Sequence, residues 1–152
     1  MSTQEATPRD DAIRLLARRD YSRSELMSRL AARGHAPDDI ASLLDALADE
    51  GLQSDARFAE QFVRSRLSRG QGAMKIRAEL GARGVTDEVA REALEGEAPD
   101  WHRLACEALA KRFDSPGHDP RERAKRERFL ASRGFDFEQV RHAMAHAWEN
   151  AR

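Results

Sequence analysis

Few side chains in this sequence are of a type and spacing that could make or break a bond. The one cysteine, Cys106, lies in an apolar stretch with no base spaced to activate it, and reads as a buried, inert thiol. His142 and His146 stand four residues apart, so a helix would place both imidazoles on one face, a spacing that metal sites use. The glutamate of a metalloprotease motif is missing between them and no third ligand is evident, so they read as a polar face near a helix C-terminus. Gly70-Gln-Gly72 lacks the third glycine, the preceding strand and the lysine of a phosphate-binding loop. Trp101 and Trp148 are expected to close cores. The reading is therefore of a protein that is not an enzyme, with no catalytic residue, metal or cofactor.

What is left is charge. The 26 Lys and Arg nearly balance the 27 Asp and Glu, for a net of −1, but the two signs are separated along the chain. Residues 55–85 and 111–133 each carry +4, whereas 35–50 and 86–100 each carry −5. The first 34 residues carry only +2. A cationic surface of this kind suits an anionic polymer, because neutralising phosphates releases counterions. The candidate partner- or nucleic-acid-binding residues are Arg57, Arg64, Arg66, Arg69, Lys75, Arg77, Arg123, Lys125 and Arg126. The plainer alternative is a solvated face held by pairs at i,i+4, which needs no partner.

The elements that must position these residues come from a repeat. Leu30-Ala-Ala-Arg33-Gly34 recurs as Leu80-Gly-Ala-Arg83-Gly84 and as Leu130-Ala-Ser-Arg133-Gly134, 50 residues apart each time. An apolar helical stretch precedes each copy and another follows it, so the unit is three helices. Alanine supplies 26 positions and β-branched residues only ten, which excludes a β-sandwich or barrel and favours closely packed helices. Thr7-Pro8 reads as a helix start, Ser22-x-x-Glu25 as a capping box and Asp136-x-x-Gln139 as a weaker one, and Ser54 caps a helix from Asp55. Gly34, Gly51, Gly84 and Gly134 follow last turns. Helices are predicted near 8–20, 22–33, 37–50, 55–69, 73–83, 87–96, 100–113, 121–133 and 137–150.

The fold class is thus all-α, with three tandem three-helix, helix-turn-helix-like repeats forming an elongated array. A disordered segment over 1–7 precedes units at 8–53, 54–98 and 99–152. Phe58, Phe62, Leu80 and Leu130 are expected in the cores. No run of 18 apolar residues could span a membrane, and the first eight residues lack a signal peptide's basic and apolar regions, so a cytoplasmic protein is expected. It is also expected to be a monomer.

The central unit, from Asp55-Ala-Arg57-Phe58-Ala59 through Gly70-Gln-Gly72 to Lys75-Ile76-Arg77 and Arg83-Gly84-Val85, resembles the signature of the RecX family of regulatory proteins. Arg19-Asp-Tyr-Ser22-Arg23-Ser24-Glu25-Leu26 resembles the family's first-unit turn, and Lys125-Arg126-x-Arg128-Phe129-Leu130 its third unit. Ala73 stands where many relatives carry proline, and Ser115–Pro120 is an atypical insertion. The resemblance implies a tandem array that binds the RecA recombinase filament on single-stranded DNA, touching the DNA directly or within the filament. It further implies inhibition of RecA's ATP hydrolysis, strand exchange and coprotease role. The alternative is a helix-turn-helix DNA-binding protein. Against it, the third helices open with Asp38-Asp39, Asp87-Glu88 and Asp136-Phe137-Glu138, whose acids would repel phosphates.

Overall fold

The computed structural model describes residues 6–149. Nine helices and no strand occur among them: α1 (Pro8–Leu16), α2 (Arg23–Ala32), α3 (Pro37–Asp49), α4 (Asp55–Ser68), α5 (Ala73–Ala82), α6 (Asp87–Glu97), α7 (Trp101–Arg112), α8 (Pro120–Ser132) and α9 (Phe137–His146). Helix packing falls mainly within the triplets α1–α3, α4–α6 and α7–α9. Each triplet has its own core. Leu26, Leu30, Leu44 and Leu47 fill the first, Phe58, Val63, Ile76 and Leu80 the second, and Leu109, Leu130, Phe135 and Val140 the third. A fully buried leucine contributes roughly 1.5–3 kcal/mol, so each small core holds with only a handful of large side chains. Trp101 packs against both the second and third cores.

Helix starts follow the capping residues. The Thr7 and Ser22 hydroxyls and the Asp136 carboxylate each accept from the third backbone N–H of their helix, and Asp10, Glu25 and Gln139 return the bond. The disorder expected over 1–7 lies outside the described residues at 1–5, while Thr7 is the ordered cap of α1. The α1 helix ends at Leu16, four residues short of expectation. The chain must turn extended at Ser22 to cap α2, and Tyr21 is buried in the first core with the Arg19 guanidinium 3.6 Å over its ring. Beyond His146 the chain turns, four residues short of the end expected for α9. Phe62 is only half-buried. It stacks on Phe58 while the Arg66 and Arg83 guanidinium groups sit 4.4 Å and 4.7 Å from its ring. Trp148 does close the third core, its indole N–H donating to the Phe113 carbonyl at 2.9 Å.

The junctions between triplets obey the same 50-residue register as the sequence. At the first, the Ser22 hydroxyl at the start of α2 donates to the Arg83 carbonyl in the α5–α6 turn at 2.7 Å. At the second, the Gly72 and Met74 N–H groups at the start of α5 donate to the Arg133 and Gly134 carbonyls in the α8–α9 turn, at 2.7 Å and 3.1 Å. Both turns need glycine. Gly84 and Gly134 have φ of +82° and +99°, and a Cβ on Gly134 would lie 2.5 Å from the Lys75 nitrogen. Further ties secure the first junction. The Arg23 N–H donates to the Asp55 carboxylate at 2.8 Å, and Arg57 pairs with Asp20 at 3.3 Å.

Candidate partner-binding surface

The nine cations singled out in the sequence do not form one patch. Four of them are held by carboxylates inside the molecule. Arg57 pairs with Asp20 and also donates to the Gly51 and Leu52 carbonyls, so it stitches the first junction. Arg64 reaches from α4 to Glu97 at 2.9 Å. Arg66, mostly buried, pairs with Glu79 at 3.3 Å. Arg77 grips both oxygens of Asp87 at 2.8 Å and 3.0 Å. For Arg64 and Arg77 the cause is the charge pattern itself, because the acidic third helix of the triplet packs beside the basic first and second helices, whereas Asp20 lies in the α1–α2 loop and Glu79 on α5. The exposed pairs, those of Arg64 and Arg77, contribute only about 0–1 kcal/mol each, but all four occupy the guanidinium forks that a partner would need.

Arg126 is also engaged internally. It donates to the Ser115 and Glu122 carbonyls and lies 4.5 Å from the Phe113 ring. That leaves Arg69, Lys75, Arg123 and Lys125, which make no ion pair among the described residues. Arg69 stands on the rim of an open groove of about 440 Å³ where the end of α4 meets α7 and α8. Lys111, Arg112 and Arg133 share that rim, and Leu67, Leu104, Ala108 and Phe129 form its floor. Glu107 is the one carboxylate in the lining, and Arg103 already holds it at 2.6 Å. Four cations thus flank an apolar floor with no carboxylate pairing them, although Arg133 donates to the Arg69 carbonyl at 3.4 Å and lies 5.1 Å from the Phe129 ring. The sequence counts Lys111, Arg112 and Arg133 within a basic stretch, but only the fold brings them to Arg69.

Chemistry of the bond-making kind finds no such concentration. Cys106 is half-buried, and its thiol is pushed up by burial first and then by the charges of Glu149, Asp100 and Glu107, which keeps it protonated. The fold adds His102 of α7 to the α9 pair: its ring lies 4.7 Å from that of His142, which lies 4.5 Å from that of His146. His146 is held at 2.6 Å by Glu149. The rings lie edge to face or tilted, and among the described residues no three His, Cys, Asp or Glu side chains are placed to hold a metal ion. The acids at the start of the third helices do lie in the first turns of α3, α6 and α9. No helix among the described residues is long and apolar enough to cross a membrane.

The class defined by this architecture is the tandem three-helix repeat array, with four cations that have no carboxylate partner, Arg69, Lys111, Arg112 and Arg133, around one groove at the second junction. Three family models match the chain in order: the first three-helix domain of RecX at residues 9–47, the second at 54–94 and the third at 101–144. The chain is 99% identical to the regulatory protein RecX of Chromohalobacter salexigens over all 152 residues of both. It is 49% identical to that of Halorhodospira halophila, over 93% of this chain and 89% of the relative. The RecX crystal structure from Lactobacillus salivarius has the same fold, with a TM-score of 0.79 at 22% identity, over 92% of this chain and 94% of that one. A second RecX crystal structure gives 0.82 at 19% identity, over 91% and 71%. The chain belongs to the RecX family of regulatory proteins.

Proposed function

We propose that this protein is a non-enzymatic negative regulator of the RecA recombinase. It binds the RecA filament on single-stranded DNA in the cytoplasm, acts as a monomer, and lowers ATP hydrolysis, strand exchange and coprotease action. Its working units run 8–53, 54–98 and 99–152. What carries the reading is family membership along nearly the whole chain. The free charge supports it: Arg69, Lys75, Lys111, Arg112, Arg123, Lys125 and Arg133 are among the cations with no carboxylate partner among the described residues. Sequence-independent attachment to a phosphate-bearing filament needs this kind of surface and no base-reading helix. A regulator of this type also needs no reaction of its own, only a higher affinity for one state of its partner. The test is RecA-driven ATP hydrolysis on single-stranded DNA. Addition of the protein is expected to lower the rate, and an unchanged rate across micromolar concentrations overturns the reading.

A further inference from the structure

The three equivalent glycines of the repeat, Gly34, Gly84 and Gly134, sit in turns of the same shape, with φ of +88°, +82° and +99°. Two of these turns are covered, each by the start of the preceding unit's second helix. A Cβ on Gly84 would lie 2.2 Å from the Ser24 Cβ, and one on Gly134 would lie 2.5 Å from the Lys75 nitrogen. The third is bare: a Cβ on Gly34 would meet nothing within 4 Å. No hydrogen bond beyond its helix reaches the Arg33 or Gly34 carbonyl among the described residues, whereas the Arg83, Arg133 and Gly134 carbonyls all accept one. A helix's last carbonyls carry partial negative charge and its first N–H groups partial positive charge, so a turn of this kind receives a helix start. Within this chain, one helix start of the matching class is not docked on a turn, that of α8.

The start of α8 differs from its two counterparts. N-caps at Ser22 and Gly72 would place the third at 122, but Asp119 caps α8 three residues earlier. The added turn is covered by the chain just before it. The His118 N–H donates to the Glu122 carboxylate at 3.2 Å, and Arg126 donates to the Ser115 carbonyl at 2.7 Å. Gly117 lies so close that a Cβ there would be 2.9 Å from the Glu122 Cβ. The residues that match the docking positions of α2 and α5 are thus wrapped by the protein's own loop.

We propose that the Arg33–Gly34 turn is a vacant copy of the docking face used twice inside the molecule, that its fitting partner is the start of α8 in a second copy of this chain, and that residues 114–122 form an end cap that keeps the partner away. The contact would be head-to-tail, with different surfaces on the two copies, and a contact of that kind propagates into open filaments. Tandem-repeat arrays stay soluble by closing their terminal units, and here the closure is a seven-residue loop and one extra helical turn rather than a separate element.

The test uses the full chain. In one variant, residues 114–122 are replaced by a copy of Gly70-Gln-Gly72, which keeps Phe113 and starts α8 at Arg123. Sedimentation velocity is measured from 5 to about 300 micromolar. The wild type is expected to sediment as a monomer throughout, and the variant's mean mass is expected to rise at least twofold with concentration. Adding Gly34→Asn returns the variant to monomer: asparagine tolerates positive φ and has open space in the free chain, but its Cβ blocks a docked helix. Circular dichroism and the emission of Trp101 and Trp148 establish that the third unit remains folded. A wild type that itself polymerises, a folded variant that stays monomeric, or association that Gly34→Asn leaves untouched each overturns the proposal.

Discussion

At the scale of single residues, position in the repeat decides what a side chain costs. Gly34 and Gly134 occupy the same turn, yet only Gly134 is pressed against a neighbouring backbone. Gly34→Ala is expected to cost about 1–2 kcal/mol, the penalty of an L-residue in the left-handed region. Gly134→Ala adds a backbone collision and is expected to exceed that by at least about 1 kcal/mol in urea unfolding. Asp11 offers a second contrast. Its carboxylate is almost wholly buried, its nearest partner is the His35 ring at 2.7 Å, and Arg33 and Arg14 lie at 3.4 Å and 3.7 Å. The hydrogen bond from His35, followed by the charges of Arg33, His35 and Arg14, holds its pKa below the usual carboxylate range against the opposing effect of burial. A depressed folded-state pKa means the stabilisation is present above the unfolded value, near 3.9, and disappears as pH falls through the folded one. Asp11→Asn should therefore be less stable than wild type at pH 7, and the gap in urea midpoint should close as both are titrated toward pH 2. A gap independent of pH would show that the charge on Asp11 is not what matters. Positions 85 and 135, one and two repeats on, hold Val and Phe in the cores, so the first unit has replaced an apolar plug with a polar pair.

At the scale of helices, much was written plainly in the sequence. The Arg-Gly turns, the Ser22 capping box and the apolar spacing locate all nine helix starts among the described residues within a residue of where they form, because caps and turns are local. Helix ends were less legible. The stretch 17–20 has helix-forming residues, but Tyr21 must enter a core that includes residues far along the chain. Pairing was not legible at all. Net charges of +4 and −5 reveal that oppositely charged helices exist, but not that Arg64 meets Glu97 across 33 residues or that Arg77 claims Asp87. His102 joins the imidazoles of α9 for the same reason, through the packing of α7 on α9. Since each helix triplet fills its own core, damage should be local. Leu130→Ala is expected to remove about 2–5 kcal/mol. Hydrogen exchange should then speed up in α7–α9 well before α1–α3; uniform acceleration would mean that the three cores unfold as one.

At the scale of the whole molecule, the distinction between tied and free arginines makes a prediction about binding. Reversing Arg69, Lys111 and Arg112 to glutamate places three negative charges around an apolar groove from which three positive charges have been removed. Binding to RecA filaments, read by fluorescence anisotropy of labelled protein, should weaken at least tenfold and lose much of its salt dependence. Reversing Arg64 and Arg77 instead breaks two internal pairs and should cost stability of about 1 kcal/mol or less per pair, with a binding loss of threefold or less. If the second variant is the one that fails to bind, the surface lies on the central unit after all and the internal pairs open on contact.

The position of Trp101 against two cores has a practical consequence. Its indole reads the seam between the second and third units, while Trp148 lies in the last unit alone. Replacing Trp148 with phenylalanine would leave a single intrinsic lamp at the seam, whose colour and quenching follow any bending of the array as it seats on its partner, with no dye attached.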